Sequence, residues 1–486
     1  MNDIKKLEPK QVWNYFHDIT LIPHPSKKEE KIVGYIMDFG KKHNLETIKD
    51  KTGNVIIRKP ATRGMENRQG VIFQTHLDMV PQKNNDKKHD FEKDPIETVI
   101  DGEWVRANGT TLGSDNGIGV AAALAVLAAD NLKHGPVEAL FTVDEETGMT
   151  GVFGLKKGVL KGDILLNLDS EDEHEICVGC AGGMDVSAAG KYSVEKAPGG
   201  FVAYKVVASG LRGGHSGVDI ALGRANSNKI MFRFLMQAEA DFGIRLAEAA
   251  GGNLRNAIPR ESYSIILVPG DSAKKFEKFV RGYEEMYRAE FAETEPGLNF
   301  RAVKAETPLK VMKKDDQYRI IRAIFVCPNG VQRMSQAMPG LVETSNNMAI
   351  IKCADGRFEC HNLTRSSVDS AKEATAWKIA AVFHLIGAEV TMTGGYPGWN
   401  PNMKSPVLKV VTDVYSKLFG TEPEVKAIHA GLECAIIGGT YPNLDMVSFG
   451  PTIKFPHSPD EKVNIPSVAK FWDFIVETLK NIPVRK

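Results

Sequence analysis

No stretch of the 486-residue sequence approaches the ~20 apolar residues that a membrane-spanning helix requires. The opening segment, MNDIKKLEPKQVWNYF, has no apolar core of the kind a signal peptide carries, so export is not expected. Charge of one sign is missing too: Lys plus Arg and Asp plus Glu number 61 each. With neither a basic stripe nor a polyacidic tail, nothing invites nucleic acid or an anionic membrane. Cysteine is scarce. The six (Cys177, Cys180, Cys327, Cys353, Cys360 and Cys434) suit reduced thiols in a cytoplasmic protein better than a disulfide framework. Cys177 and Cys180 form a CxxC, yet no second pair follows at zinc-ribbon spacing, so both are expected as small buried residues.

What is present is ordinary in bulk, with 42% hydrophobic and 25% charged residues, as in globular proteins. The length exceeds what one core supports, so two or more domains are expected. Residues 9–18 and 27–43 carry apolar residues at helical spacing, and Pro23 and Pro25 break the chain between them. NVIIRKP (54–60), VIFQTHLDMV (71–80), VEALFTVDEE (137–146) and DILLNLD (163–169) read as strands, and IGVAAALAVLAAD (118–130) as a buried helix. Such apolar strands and helices imply a sheet covered on both faces. The character changes near 200. FVAYKVVASGLRGGHSG alternates as a half-exposed strand does, helical runs follow at 225–248 and 271–292, and MAIIKCADGRFECHNLTRSS (348–367) reads as two strands joined at a DG turn. A helix follows at about 370–387, and buried-strand character returns with LDMVSFGP (444–451), before a final helix near 466–481. The expectation is an α/β catalytic domain, 1–198 and 393–486, with an α+β domain, 199–392, inserted into it.

Five acidic or imidazole segments end or interrupt these apolar stretches: THLD (75–78), SDNG (114–117), DEETG (144–148), NLDSED (167–172) and PHSPDE (456–461). An α/β protein places its chemistry at the carboxyl ends of strands, and these side chains supply the N and O ligands that suit zinc and its neighbours. His76 and Asp78 are two apart, so on a strand both face one way; a structural His–Asp pair is the alternative. Asp115 precedes a helix start, where an N-cap is the better explanation of the residue taken alone. Asp144, Glu145 and Glu146 close an apolar strand, where their repulsion costs stability unless cations or protons offset it; a solvated strand end is the plainer alternative. One glutamate could bind metal while its neighbour acts as general base. Of the 167–175 acids only Asp169, beside the apolar LLNL, is placed to face inward, and His457 stands alone in a Pro-bounded turn. Together the donors exceed what one zinc needs, so two metals are the natural reading.

The order and content of these segments resemble the dinuclear-zinc exopeptidases that include aminoacylase, carboxypeptidase G, succinyl-diaminopimelate desuccinylase and the carnosine-type dipeptidases. The resemblance runs end to end through IPHPS (22–26), GNVIIRKPAT (53–62), HLDMVPQKNND (76–86), GTTLGSDNGIG (109–119), GCAGG (179–183), GGHSG (213–217), LRNAIPR (254–260), HAGLEC (429–434) and GPTIKFPHSPDE (450–461). It implies a zinc-exopeptidase-like fold, a mixed sheet covered by helices with an inserted lid. His76 and Asp169 would bind one metal, Glu146 and His457 the other, and Asp115 both, its bond to Asn116 being cis. Asp78 would orient His76 and Glu145 would be the general base. From the lid, His215 would polarise the scissile carbonyl, Arg365 would clamp the substrate's carboxylate, and Asn256 would make a second carbonyl contact. The cofactors implied are two divalent ions per subunit, zinc first, with cobalt or manganese tolerated by the same ligands.

The implied activity is hydrolysis of unblocked dipeptides, preferentially with C-terminal histidine, by a metal-bound hydroxide. Partners are then small dipeptides, with neither nucleic acid nor membrane, and a homodimer through the lid is open, since a lid of this size might supply both halves of the site itself. A related N-acyl amino acid deacylase or tripeptidase is the nearest alternative. A catalytically silent metal-binding scaffold is the distant one, disfavoured because Glu145 and all five ligands are present.

Overall fold

The computed structural model describes residues 3–485 and divides into two compact units. The first joins the chain up to Gly179 with Pro401–Ala427 and the stretch from Leu432 onward. The second comprises Cys180–Asn400 and Ile428–Gly431. The expected middle segment, 199–392, is narrower than this second unit. Strands Gly182–Lys191 and Glu389–Tyr396 pair with each other, and the former also pairs with Arg357–Ser366, so both belong to the second unit's sheet.

The first unit is built on an eight-stranded mixed sheet in the order Glu46–Lys49, Val55–Lys59, Val137–Thr142, Val71–His76, Ile164–Asn167, Asp445–Ser448, Glu175–Cys180 and Glu424–Ile428. Val71–His76 runs parallel to Val137–Thr142 and to Ile164–Asn167, which runs parallel to Asp445–Ser448. Of these, Val71–His76, Val137–Thr142 and Ile164–Asn167 are buried at every position, as near-continuous apolar runs require when both faces are covered. Helix Ser114–Ala128, rich in Gly, Ala, Val and Leu, is buried almost all round. In register, His76 lies opposite Thr142 and Gln74 opposite Asn167, so the strands end at nearly one level. The acids that follow them in sequence therefore emerge along one edge. A smaller four-stranded sheet, Ile453–Lys454, Lys462–Asn464, Trp104–Ala107 and Thr98–Asp101, holds the turn that carries His457.

The second unit is α+β. Its nine-stranded sheet is antiparallel throughout and packs against helices Ser227–Phe242, Ala273–Glu290, Lys314–Val326 and Asp369–His384. The DG turn forms as expected between Val342–Ala354 and Arg357–Ser366, with positive φ at both Asp355 and Gly356. The helical run at 225–248 does not persist. The helix stops at Phe242 with left-handed Gly243 at its C-cap. Arg245–Gly251 is then a strand paired on both sides, by Ser262–Pro269 and Val342–Ala354. Its residues favour a helix in isolation, and pairing overrides that preference. Among the described residues no helix is long and apolar enough to cross a membrane.

Helix Ser114–Ala128 meets the strand end at 168 with no room to spare. A Cβ on Gly119 would stand 2.6 Å from the Leu168 carbonyl oxygen and 2.5 Å from Asn116 Oδ1. Gly119→Ala should therefore lower the unfolding free energy by about 1–3 kcal/mol. An unchanged denaturation midpoint would show that helix and strand end can part freely.

Candidate functional site

Within the first unit, the five segments converge. His76 closes its strand and is 2% exposed. Its Nε2 lies 3.2 Å from Asp115 Oδ1 and 3.3 Å from Asp169 Oδ1. His457 Nε2 lies 3.3 Å from Asp115 Oδ2 and 3.0 Å from Glu146 Oε2. Two donor groups result, His76–Asp115–Asp169 and Asp115–Glu146–His457, and Asp115 belongs to both. The Asp115–Asn116 bond is cis. Within each group the donor atoms lie within 4.8 Å of one another, and two ligands of one tetrahedral zinc stand ~3.4 Å apart. Glu146 Oε1 is buried without a hydrogen-bond partner among the described residues. Donor type, spacing and an orphaned carboxylate oxygen all fit divalent cations.

The electrostatics point the same way. Burial pushes Glu145 well above the usual carboxylate range, and it also raises Glu146 and Asp169. Burial would raise Asp115 as well, but hydrogen bonds from His457 and His76 hold it well below. Hydrogen bonds to Asp115 and Glu146 push His457 up to about 11. His76, which burial alone would lower, is lifted well above the usual imidazole range by Asp169, Asp115 and Asp78. Desolvated negative charge gathers here, and divalent cations would offset it.

Asp78 sits differently from a simple orienting carboxylate. The strand ends at His76, so Asp78 lies beyond it and the same-face argument does not reach it. Asp78's main-chain oxygen lies 3.0 Å from His76 Nδ1, and its Oδ1 3.5 Å away. The Asp78 carboxylate also accepts main-chain N–H groups from Glu145 at 3.0 Å and Glu146 at 3.2 Å.

Several site residues escaped the sequence reading. Glu461, 2% exposed, grips the turn that delivers Asp115. Its Oε2 accepts the N–H groups of Leu112 (2.7 Å) and Gly113 (3.0 Å), and its Oε1 those of Ser114 (2.8 Å) and Asp115 (3.3 Å) and the Ser114 hydroxyl (2.6 Å). Glu433, from HAGLEC, is 1% exposed and accepts hydrogen bonds from Gln74 and Thr142, and burial pushes it up to about 8. Glu171, which was not expected to face inward, is also pushed up to about 8, by burial and by Asp115 and Asp169. The signal for two of these lay in motifs already singled out, PHSPDE and HAGLEC.

The second unit brings His215 and Arg365 together. Arg365 is 5% exposed and has no ion-pair partner among the described residues. Its Nε donates to Ser216 Oγ at 3.3 Å and its Nη1 to the Tyr396 hydroxyl at 3.3 Å. His215 Nδ1 accepts N–H groups from Gly217 and Val218, both at 3.2 Å. The proton of the neutral ring is therefore on Nε2, which stands 3.4 Å from Arg365 Nη2. Two donors face each other there, an arrangement that an oxygen acceptor would complete. Burial and the Arg365 charge hold the His215 ring below its usual range, in its neutral form. Asn256 joins this cluster through its backbone, its carbonyl accepting the Ser216 N–H at 2.8 Å, while its side chain is exposed.

Replacing Glu461 by Ala strands four main-chain N–H groups and a hydroxyl in a buried turn. Glu461→Ala should cost about 3 kcal/mol or more of stability, with Glu461→Gln milder, and calorimetry reads both. Equal melting of Glu461→Ala and the parent would remove the clamp.

The chain matches the sequence profile described as peptidase family M20/M25/M40 over residues 72–481. It is 46% identical over 487 residues, spanning 100% of both chains, to the cytosol non-specific dipeptidase of Escherichia coli (strain K12). The crystal structure of aminoacylhistidine dipeptidase from Vibrio alginolyticus superposes with a TM-score of 0.95 at 47% identity, covering 99% of each chain. A tripeptidase structure from Staphylococcus aureus shares the fold, with a TM-score of 0.57 at 15% identity over 98% of this chain and 99% of that one. With its centre assembled at the strand ends and its whole length matched, this chain belongs to peptidase family M20/M25/M40.

Proposed function

We propose that this chain is a metal-dependent dipeptidase of the cytosol that hydrolyses unblocked dipeptides, foremost those ending in histidine. The observation that carries this reading is the pair of donor groups sharing Asp115, with buried Glu145 beside them. A metal cofactor goes with the family, and the finer assignment is two zinc-type ions. His76 and Asp169 would hold one, Glu146 and His457 the other, and Asp115 both. Divalent cations there would polarise the scissile carbonyl and acidify the attacking water.

The chain's own residues do the rest. Glu145 takes a proton from the attacking water and hands it to the leaving amine nitrogen, a transfer suited by burial that raises its proton affinity. Asp78 fixes the main chain on which Glu145 rides. His215 Nε2–H meets a carbonyl or developing oxyanion, the kind of donor whose loss costs ~10²–10³ in rate. The unpaired Arg365 guanidinium takes the dipeptide's carboxylate, for which a planar fork is suited, and Asn256 adds a second carbonyl contact. Histidine preference and cytosolic location follow the names of the Vibrio and Escherichia coli relatives.

Hydrolysis of Ala-His, β-Ala-His, Ala-Ala, acetyl-His and a tripeptide by metal-loaded protein, with a chelated control, tests the whole reading. Chelator-sensitive turnover led by Ala-His is expected. Turnover led by acetyl-His or by the tripeptide would move the function to a deacylase or tripeptidase. Glu145→Gln should keep its metal, measured by elemental analysis, yet lose kcat by roughly 10³-fold or more.

A further inference from the structure

The loop that carries Glu145 and Glu146 is gripped from a segment that has no part in the chemistry above. IPHPSKKE (22–29) leads into helix Glu30–Lys42. Three successive main-chain N–H groups of the loop each meet a buried carboxylate oxygen. Asp144 N–H donates to Glu29 Oε1 at 3.1 Å, Glu145 N–H to Asp78 Oδ1 at 3.0 Å, and Glu146 N–H to Asp78 Oδ2 at 3.2 Å. The Ser26 hydroxyl donates to the same Asp78 Oδ2 at 2.8 Å. Glu29 Oε1 also accepts the Lys27 N–H at 2.8 Å. Glu29 is 8% exposed and Asp78 1%. Successive N–H groups around a left-handed residue, here Asp144 at φ 57°, form a concavity that binds an anion. In this protein the anions are its own carboxylates.

The arrangement also accounts for an acidic trio. Oxygens of Glu29, Asp78 and Asp144 lie within 4.8 Å of one another. N–H and hydroxyl donors meet each of them, Asp144 receiving the hydroxyls of Thr147 and Thr150. Hydrogen bonds to a charged acceptor are roughly twice as strong as neutral ones. A loop tied by three of them in sequence keeps its side chains in fixed directions.

We propose that Ser26 and Glu29 are positioning residues for peptide hydrolysis: with Asp78 they lock the 144–146 main chain so that the Glu145 carboxylate stays aimed at the attacking water. This inference rests on Glu145 as the base. Ser26 holds the Asp78 carboxylate square to two N–H groups, and Glu29 fixes the residue before them. Neither touches substrate.

The test is steady-state kinetics on Ala-His with metal-loaded Ser26→Ala, Ser26→Thr, Glu29→Ala and Glu29→Gln, beside Glu145→Gln. Metal content and amide hydrogen exchange of the 144–149 segment are measured on each. A misaimed catalytic group costs about ten- to a hundredfold. Both Ala variants should lose kcat on that scale at near-parental KM and metal content, with faster exchange at 144–149. Ser26→Thr and Glu29→Gln keep the hydroxyl and the acceptor oxygen, so they should recover most of the loss. Ala variants within about twofold of parental kcat would overturn the inference, and so would a loss that follows metal content or that Thr and Gln fail to recover. If Glu145→Gln is inactive while the Ala variants turn over normally, this inference alone falls. Retained turnover in Glu145→Gln would remove the base assignment and this inference with it.

Discussion

Desolvated carboxylate is the constraint around which the first unit is organised. Parallel strands with apolar interiors bring Asp169, the 144–146 acids and His76 to one buried edge, and buried negative charge is costly unless something answers it. Two kinds of answer are visible. His76 and His457 face Asp115, Asp169 and Glu146 in the arrangement that fits divalent cations. Main-chain N–H groups answer Glu461, Asp78 and Glu29. The second kind does structural work in return. A carboxylate that collects successive N–H groups fixes the turn supplying them, and these are the turns carrying Asp115, Glu145 and Glu146.

The second unit shows the opposite imbalance. The Arg365 guanidinium and the half-buried His215 ring turn donors toward each other, and among the described residues no acid pairs with Arg365. A cation kept at 5% exposure, with no ion-pair partner among the described residues, is expensive unless a ligand supplies the missing charge. The first unit thus holds acid that calls for cations, and the second holds donors that call for an anionic or carbonyl oxygen. For a peptidase whose substrate is small and ends in a carboxylate, both demands are chemically apt.

Much of this could be read from the chain. The helices and buried strands of the first 170 residues followed from apolar runs punctuated by Pro and Gly, and the DG hairpin followed from its turn. The segments that gather at the centre were visible as acids and imidazoles at strand ends. Legibility failed where pairing decides conformation. Arg245–Gly251 consists of residues content in a helix and becomes a strand because neighbours on both sides supply its hydrogen bonds. The second unit begins at Cys180, ahead of the change in character near 200, because Gly182–Lys191 pairs in a sheet whose other strands lie far along the sequence. Glu461, Glu433 and Ser26 stand in the motifs PHSPDE, HAGLEC and IPHPS, and Glu29 in none, yet their partners lie up to hundreds of residues away.

The sequence by itself determined which donors exist and that they follow apolar strands, because residue type and local periodicity are properties of short windows. It also determined the absence of a long apolar run and of excess charge, which are sums over the chain. Only the tertiary structure decided that Asp115 faces both imidazoles, that Asp78 holds the main chain of Glu145 and Glu146, and that Arg365 has no ion-pair partner among the described residues. Those are distances between atoms whose residues are remote in sequence, and such distances are fixed by strand register and packing.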